Sequence, residues 1–308
     1  TVRGVVVVGS ANLDLRLRVG ELPQAGETVL ALDRSHHVGG KGANQAVAAA
    51  RLGTATAFVG CVGDDEDGRT ILRAMQASGV DVRDVELLGG VGTGLAVVVV
   101  SETGENSIIV DPGANGRLPS ERVARVLRRR CTADTVVVLQ AEIPVPTVIE
   151  AIRVAHGLDA RVIFNAAPFT ALPRDVLAQV DYLIVNEVEA GELLGDRTLV
   201  GASPSRAVQQ VAGLALRGGV ITVGGQGAFW ADAVGTSGHM PAIDVPVVDT
   251  TGAGDAFVGA FSSAIAESAT LREAVSLGVR AGSFAVQREG AQRSYPRAGD
   301  LAEVGPLG

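Results

Sequence analysis

The chain has 308 residues, 47% of them hydrophobic, and its 34 acidic and 26 basic residues give a net charge of −8. That is enough apolar material for one large or two smaller cores, and the negative balance argues against a nucleic-acid or anionic-membrane surface as partner. Two cysteines, Cys61 and Cys131, are too few for a disulfide framework, and no apolar run reaches bilayer-spanning length or reads as a targeting segment, so a cytoplasmic, enzyme-sized globular unit is expected.

Residues 4–10, GVVVVGS, form a continuous β-branched run of the kind found in strands buried on both faces. LDLRLRV at 13–19 alternates strictly, and VLALDRSHHV at 29–38 is a looser extended candidate; both read as half-exposed antiparallel strands. A helix is expected over 42–53, a buried strand over 54–63 and a second helix over 66–79, stopping at Gly79. At 93–110 two extended segments flank the turn residues ETGEN, a hairpin expected to pair with 13–38. After residue 118, helices at 119–130, 146–157, 174–179, 187–194 and 204–217 alternate with strands at 134–139, 161–165, 181–185 and 219–223. A meander to 248 and helices at 253–267 and 271–287 complete the chain, and the basic run RVLRRR at 125–130 reads as a solvated helix end.

This alternation implies an α/β fold with a mostly parallel central sheet flanked by helices on both faces. The main unit is expected at 1–11, 39–91 and 112–308, with a small antiparallel β lid inserted at 12–38 and 92–111.

The stretch VDTTGAGDAF at 248–257 places small residues and then an acid at a helix start. The first amides of a helix have no partners within it and carry partial positive charge, so they form an anion site that glycines leave open. The acid can simply favour the helix dipole; beside a bound phosphoryl group it is also placed to take a proton from an attacking hydroxyl. No GxxxxGK[ST] occurs, and Phe257 stands where GxGxxG needs its third glycine, so the Walker and Rossmann readings fail. A second glycine cluster, HVGGKGANQAVAAA at 37–50, again opens a helix, with Lys41 and Asn44 among residues too small to cover a ligand.

GSANLD at 9–14, GGKGANQAV at 39–47, VNEVEAGEL at 185–193 and DTTGAGDAFVGAF at 249–261 resemble, in order and spacing, the motifs of the ribokinase-like (PfkB) family of carbohydrate kinases. The resemblance spans nearly the whole chain and implies ATP-dependent phosphorylation of D-ribose at O5. It further implies that Asp255 is the general base, with the backbone amides of Gly252, Ala253 and Gly254 as anion hole. Asn12, Asp14, Gly40, Lys41, Asn44 and Glu142 match residues that hold the sugar, a task suited to carboxylates and amides because a polyol offers donors and acceptors together. Glu142 also follows a buried strand at its carboxyl end, where parallel-sheet sites form. Asn186 and Glu189 match an NxxE motif that orients phosphates and Mg²⁺ through water; without that context the pair reads as an ordinary helix start. Thr222, Gly224 and Gly227 match a nucleotide-binding turn. Asp249 and Ser294, with the carbonyls of Thr251, Ala285, Arg288 and Gly290, match a monovalent-cation site, which makes K⁺ the expected activator.

Two positions depart from the pattern: Val279 stands where a His or Asn is common near adenine, and Ala166 replaces a common proline. The histidines at 36, 37, 156 and 239 form no metal spacing. A nucleoside kinase would share the GAGD chemistry, but the lid segments contain no Phe, Tyr or Trp on which a base could stack. A sugar-binding regulator that had lost catalysis is the alternative from outside the enzymes. Lid strands with an unpaired edge and apolar face further imply a symmetric homodimer.

Overall fold

A computed structural model describes residues 4–303; residues 1–3 and 304–308, the ends of the expected main unit, lie outside the described residues. Every residue of β1 (Gly4–Val8) is buried, since it pairs in parallel on both sides and neither face meets water. The chain then leaves the main body as β2 (Asn12–Val19) and returns antiparallel as β3 (Asp33–Gly39). Residues 29–32, expected to be extended with β3, lie outside it, and Leu30 and Leu32 are exposed, without the sheet packing that would reward their alternation.

Alanine-rich α1 (Lys41–Arg51) starts at Gly40 and leads to β4 (Thr56–Val59) and β5 (Cys61–Gly63). The single strand expected over 54–63 is thus cut at Gly60, where a Cβ would meet the Phe58 ring at 2.7 Å and the Gly9 carbonyl at 2.8 Å. After α2 (Glu66–Ala77) and β6 (Val80–Asp81), β7 (Glu86–Leu88) pairs with β5 in a separate ribbon. β8 (Gly94–Ser101) and β9 (Asn106–Asp111) form the expected hairpin.

The hairpin joins β2 and β3 in a four-stranded sheet ordered β3-β2-β8-β9. Both outer pairs are antiparallel, while β2 and β8 at the centre are parallel. The parallel pair arises because both strands set out from the main body, and the crossover between them is long enough to contain α1 and α2.

Helix α3 (Ser120–Arg130) ends in the basic run, but that end is not simply solvated: Arg129 and Arg130 both pair with buried Asp84, and Arg130 reaches Asp81 at 2.8 Å. β10 (Thr135–Leu139), α4 (Val145–Gly157), β11 (Arg161–Asn165), α5 (Arg174–Leu177), β12 (Tyr182–Asn186), α6 (Glu187–Leu194), α7 (Leu199–Ala202), α8 (Pro204–Ala212) and β13 (Gly218–Thr222) follow. α8 stops five residues short of the expected 217, because the amides of Leu216 and Arg217 go instead to the carbonyls of Val180 and Asp181. The expected meander holds an antiparallel extension, β14 (Ala228–Asp232) and β15 (Ser237–Met240). α9 (Ala253–Ala266), α10 (Leu271–Ala285) and the short α11 (Asp300–Glu303) close the chain.

The large sheet runs β15-β14-β13-β12-β11-β10-β1-β4-β6, parallel from β13 to β6. Successive side chains point to opposite faces, so Val5 and Val7 enter a core with α1, α9 and α10, while Val6 and Val8 enter another with α3 and α4. At the carboxyl ends of the parallel strands stand Asn12, Glu142, Asn165, Asn186 and Thr222, the side of such a sheet where ligands bind. Helices α1 and α9 meet closely at Gly259, where a Cβ would run into Ala48 and the Gln45 carbonyl. Asp255, one turn earlier on α9, is thereby brought against Asn44 and Gln45.

Candidate active site

Helix α9 begins at Gly252, which has φ 74° and provides no side-chain cap. A residue with a Cβ would be strained there and would also meet the Tyr295 hydroxyl at 2.5 Å. Asp255 is the third helical residue, a position from which an acid ordinarily reaches back to the cap amide. Glu189 does so to Asn186 in α6, and Glu273 to Thr270 in α10. Asp255 instead turns toward α1: its Oδ2 accepts from Asn44 Nδ2 at 2.9 Å and its Oδ1 from Gln45 Nε2 at 3.0 Å. Among the described residues the amides of Gly252, Gly254 and Asp255 have no protein acceptor, whereas that of Ala253 donates to the Thr250 carbonyl at 3.2 Å. The result is an open, partially positive helix end beside a carboxylate that is only 7% exposed.

Burial pushes the Asp255 carboxyl above the usual range, against the pull of Lys41 and the two amides. Burial alone would lower the Lys41 ammonium, but Asp255, Glu142 and Glu189 reverse this and hold it above its ordinary value. Glu189 is itself raised by burial, with the Asn186 amide and Lys41 opposing. The cleft is thus built from mutually dependent charges around one lysine.

Asn12, Asp14, Gly40, Lys41, Asn44 and Glu142 gather where β1, β2, β10 and α1 converge. Asn12 is buried, and its Oδ1 accepts from Asn115 Nδ2 at 2.6 Å. Asp14 is half-buried and not a free strand charge; its carboxylate fills the space a side chain at Gly39 would take. Gly40, with φ 86°, caps α1 while passing so near Ala11 and Asn12 that a Cβ would sit 2.8 Å from the Asn12 amide. Glu142 Oε2 accepts from Ser10 Oγ at 2.6 Å and from the Lys41 amide at 3.0 Å, occupying the first donor of α1.

Lys41, Asn165, Asn186, Glu189, Gly252 and Asp255 line a cavity of about 130 Å³. It adjoins a larger cleft of about 810 Å³, the two sharing Asn186, Thr222 and Gly254. The larger cleft also holds Gly224, Gly227 and Val279 and is walled by Phe257, Val245 and Val247. Such an apolar slot beside a polar chamber can take a flat ring system with a charged tail. In the capping box of α6, Glu189 Oε2 is used by the Asn186 amide, which leaves Oε1 for a hydrated cation.

Beside the helix end, Asp249 bridges two loops: Oδ1 accepts from Thr251 amide and hydroxyl, and Oδ2 from the Gly290 amide at 2.9 Å. Although burial opposes it, these bonds hold the Asp249 carboxyl below the usual range. Ser294 Oγ donates to the Ala291 carbonyl at 2.7 Å and keeps its own lone pairs. The Ala285 carbonyl accepts from the Arg288 amide at 3.2 Å. The set comprises hard oxygen donors, suited to a hard cation and poorly suited to zinc or copper.

Sequence motifs missed several residues of the site. Gln45 sits inside the quoted GGKGANQAV stretch, directly after Asn44, yet its partners come from the residue that follows β10, from β11 and from α9. Gln140, Asn165, Gln292 and Tyr295 likewise show their proximity only in three dimensions. Tyr295 is 3% exposed and its hydroxyl has no hydrogen-bond partner among the described residues; burial first, then nearby Asp255, drives it well above its ordinary value.

The model of the pfkB family of carbohydrate kinases matches residues 2–298. A ribokinase of Schizosaccharomyces pombe is 37% identical over 301 residues, covering 95% of this chain and 94% of its own. A Bacillus subtilis ribokinase is also 37% identical, covering 98% of this chain and 99% of its own. The structure of Arabidopsis thaliana ribokinase complexed with ribose and ATP superposes with a TM-score of 0.90 at 32% identity, covering 99% of both chains.

Burial, followed by the charges of Glu142 and Asp255, raises the Asp14 carboxyl from 3.8 to about 7. Between those values the unfolded chain has released this proton and the folded chain retains it, so stability falls as pH rises; above about 7 the penalty is constant. In thermal melting of the ligand-free protein, the component due to Asp14 is therefore expected to be a fall in Tm from pH 5 that levels off above about 7. Asp14→Asn removes that component, so the two curves diverge as pH rises, with the variant the more stable at pH 8. Parallel curves would contradict the assignment.

Proposed function

The chain belongs to the pfkB family of carbohydrate kinases, and on that premise we propose that it is a ribokinase-type enzyme, transferring the γ-phosphoryl group of ATP to O5 of D-ribose. The observation that carries this reading is the uncapped start of α9, with a buried carboxylate one turn in that is held away from the helix's own amides.

In this proposal Asn12, Asp14, Lys41, Asn44 and Glu142, with the backbone at Gly40, hold the sugar so that its primary hydroxyl meets Asp255. Carboxylate oxygens have about four acceptor sites between them, so Asp255 keeps capacity for a third partner while Asn44 and Gln45 remain bonded. The O5 proton passes to Asp255 as the O5–phosphorus bond forms and the bond to the leaving ADP oxygen breaks in line. Charge on the transferring group is met by the Gly252 and Gly254 amides, joined by Ala253 when its bond to Thr250 opens. The nucleotide lies in the larger cleft along Asn186, Thr222, Gly224 and Gly227. Mg²⁺, held by Glu189 through water, would neutralise phosphate charge. K⁺, held by Asp249, Ser294 and the carbonyls of Thr251, Ala285, Arg288 and Gly290, would fix the loops beside the anion hole.

We assign segments 12–38 and 92–111 as the lid that excludes water from this chamber. Its outer strand β9 exposes all six residues, including Ile108, Ile109 and Val110. That edge would be protected in a symmetric dimer through the lids. Cys61 and Cys131 are buried, unpaired thiols pushed up to about 12 by burial, which suits the reducing cytoplasm proposed here.

Asp255→Asn is expected to fold normally and to lose roughly 10²- to 10⁴-fold in kcat. Turnover of ribose, deoxyribose, fructose and adenosine, measured with Mg²⁺ and with or without K⁺, is expected to favour ribose and to rise with K⁺. Preference for adenosine would point to a nucleoside kinase, and ribose binding without ATP consumption to a regulator; either overturns the proposal. For the dimer, light scattering is expected to give twice the chain mass and Ile109→Asp to shift it toward monomer, whereas a fully active wild-type monomer contradicts it.

A further inference from the structure

Two chains of buried side-chain amides converge on Asp255. On one side Gln140 Nε2 donates to Gln45 Oε1 at 2.6 Å, and Gln45 Nε2 then donates both to Asp255 Oδ1 and to Asn165 Oδ1, each at 3.0 Å. Asn165 is anchored in turn by its donation to the Ile184 carbonyl at 3.1 Å. On the other side Gln292 Nε2 donates to Asn44 Oδ1 at 3.1 Å, and Asn44 Nδ2 donates to Asp255 Oδ2 at 2.9 Å. None of these six side chains is more than 8% exposed.

A terminal amide presents a donor on one side and an acceptor on the other, so the bond at one end decides what faces the other end. Gln45 turns its donor to two acceptors, the Asp255 carboxylate and the Asn165 carbonyl that is fixed in turn by Ile184, and its own carbonyl is left to accept from Gln140, whose Oε1 has no partner among the described residues. Gln292 gives its donor to the Asn44 carbonyl, which leaves the Asn44 donor for the carboxylate. Each carboxylate oxygen thereby receives one donor from a residue whose orientation is set one step further out, and the plane of the carboxylate is fixed from both sides.

We propose that Gln45, oriented by Asn165 and Gln140, and Gln292, acting through Asn44, are positioning residues that hold the catalytic carboxylate in its reactive plane and in its ionised form. The inference rests on the assignment of Asp255 as base. Burial favours the protonated carboxyl, which cannot accept the sugar proton, and the amide donors oppose it, favouring the charged form. Among these positioning residues, only Gln45 combines direct contact with Asp255 with no expected contact to sugar or nucleotide, so its loss separates positioning from binding. Gln140 does not reach Asp255 and tests the orientation itself: Gln140→Met removes the donor to Gln45 Oε1 without adding a charge, so Gln45 loses one of the contacts that fix its plane.

The test compares steady-state kinetics and pH profiles of kcat for wild type, Gln45→Met, Gln140→Met and the double variant Gln45→Met/Gln140→Met. The double variant replaces both partners of one buried bond by apolar groups of similar length, guarding against loss of folding from a single orphaned amide. Asp255→Asn serves as the control for the base itself. Expected are roughly 10- to 100-fold losses in kcat with ribose KM changed by less than about threefold. The acid limb of the kcat profile is expected to move to higher pH, because a donor that is removed or no longer held in place stops favouring the ionised carboxylate. An acid limb unmoved in folded Gln45→Met or in the double variant overturns the inference, as does near-wild-type kcat in Gln140→Met. If Asp255→Asn alone keeps its kcat, the base assignment fails, a result separate from either of these.

Discussion

The site depends on one helix that declines its own cap. Helices α6 and α10 begin with a side chain bonded into the first turn and an acid at the third position closing the box. Helix α9 has glycine at the cap, and its third-position acid is drawn to α1. The amides left over are those that an anion can use, and the acid left over is the one that can receive a proton. Close packing of α9 on α1 at Gly259 makes the exchange possible, since it brings the amides of Asn44 and Gln45 within reach of Asp255.

Electrostatics alone would not favour this cluster. Glu142, Asp255 and Glu189 converge with Lys41 as their shared cation, Asp14 faces the like charges of Glu142 and Asp255, and burial raises Asp14, Asp255 and Glu189 together. In the proposed reaction these groups would relax as the sugar arrives, its hydroxyls bonding the carboxylates and Lys41. Residual tension of this kind is expected at a binding site and costs stability in the ligand-free state.

Much of the scaffold was legible from periodicity. β1 and β10 read as buried strands because their apolar runs have no polar face, and the β8–β9 hairpin was marked by its turn residues. The break at Gly60 was not legible, because it is set by how closely Gly9 and the Phe58 ring approach. Nor was the parallel pairing of β2 with β8, which follows from the path of the chain between them. Within the site, the four motifs drew attention to Asp255, Lys41, Asn44 and Glu189, each beside glycines or at a helix start. Gln140, Gln45 and Gln292 carry no such local mark; their partners are 95, 210 and 248 residues away in the chain, so only the assembled fold shows what their amides do. The basic run at 125–130 misled for the same reason, since Asp84, which holds two of its arginines, lies far off in sequence.

The central claim is that Asp255 and the open amides of α9 serve a single transferring group. A crystal structure with ribose, ADP and aluminium fluoride tests it directly. O5 should lie within hydrogen-bond reach of the Asp255 carboxylate, about 2.6–3.2 Å, with the fluoride mimic against the Gly252 and Gly254 amides. A mimic seated away from that helix end, or a sugar whose O5 faces another side chain, would contradict it.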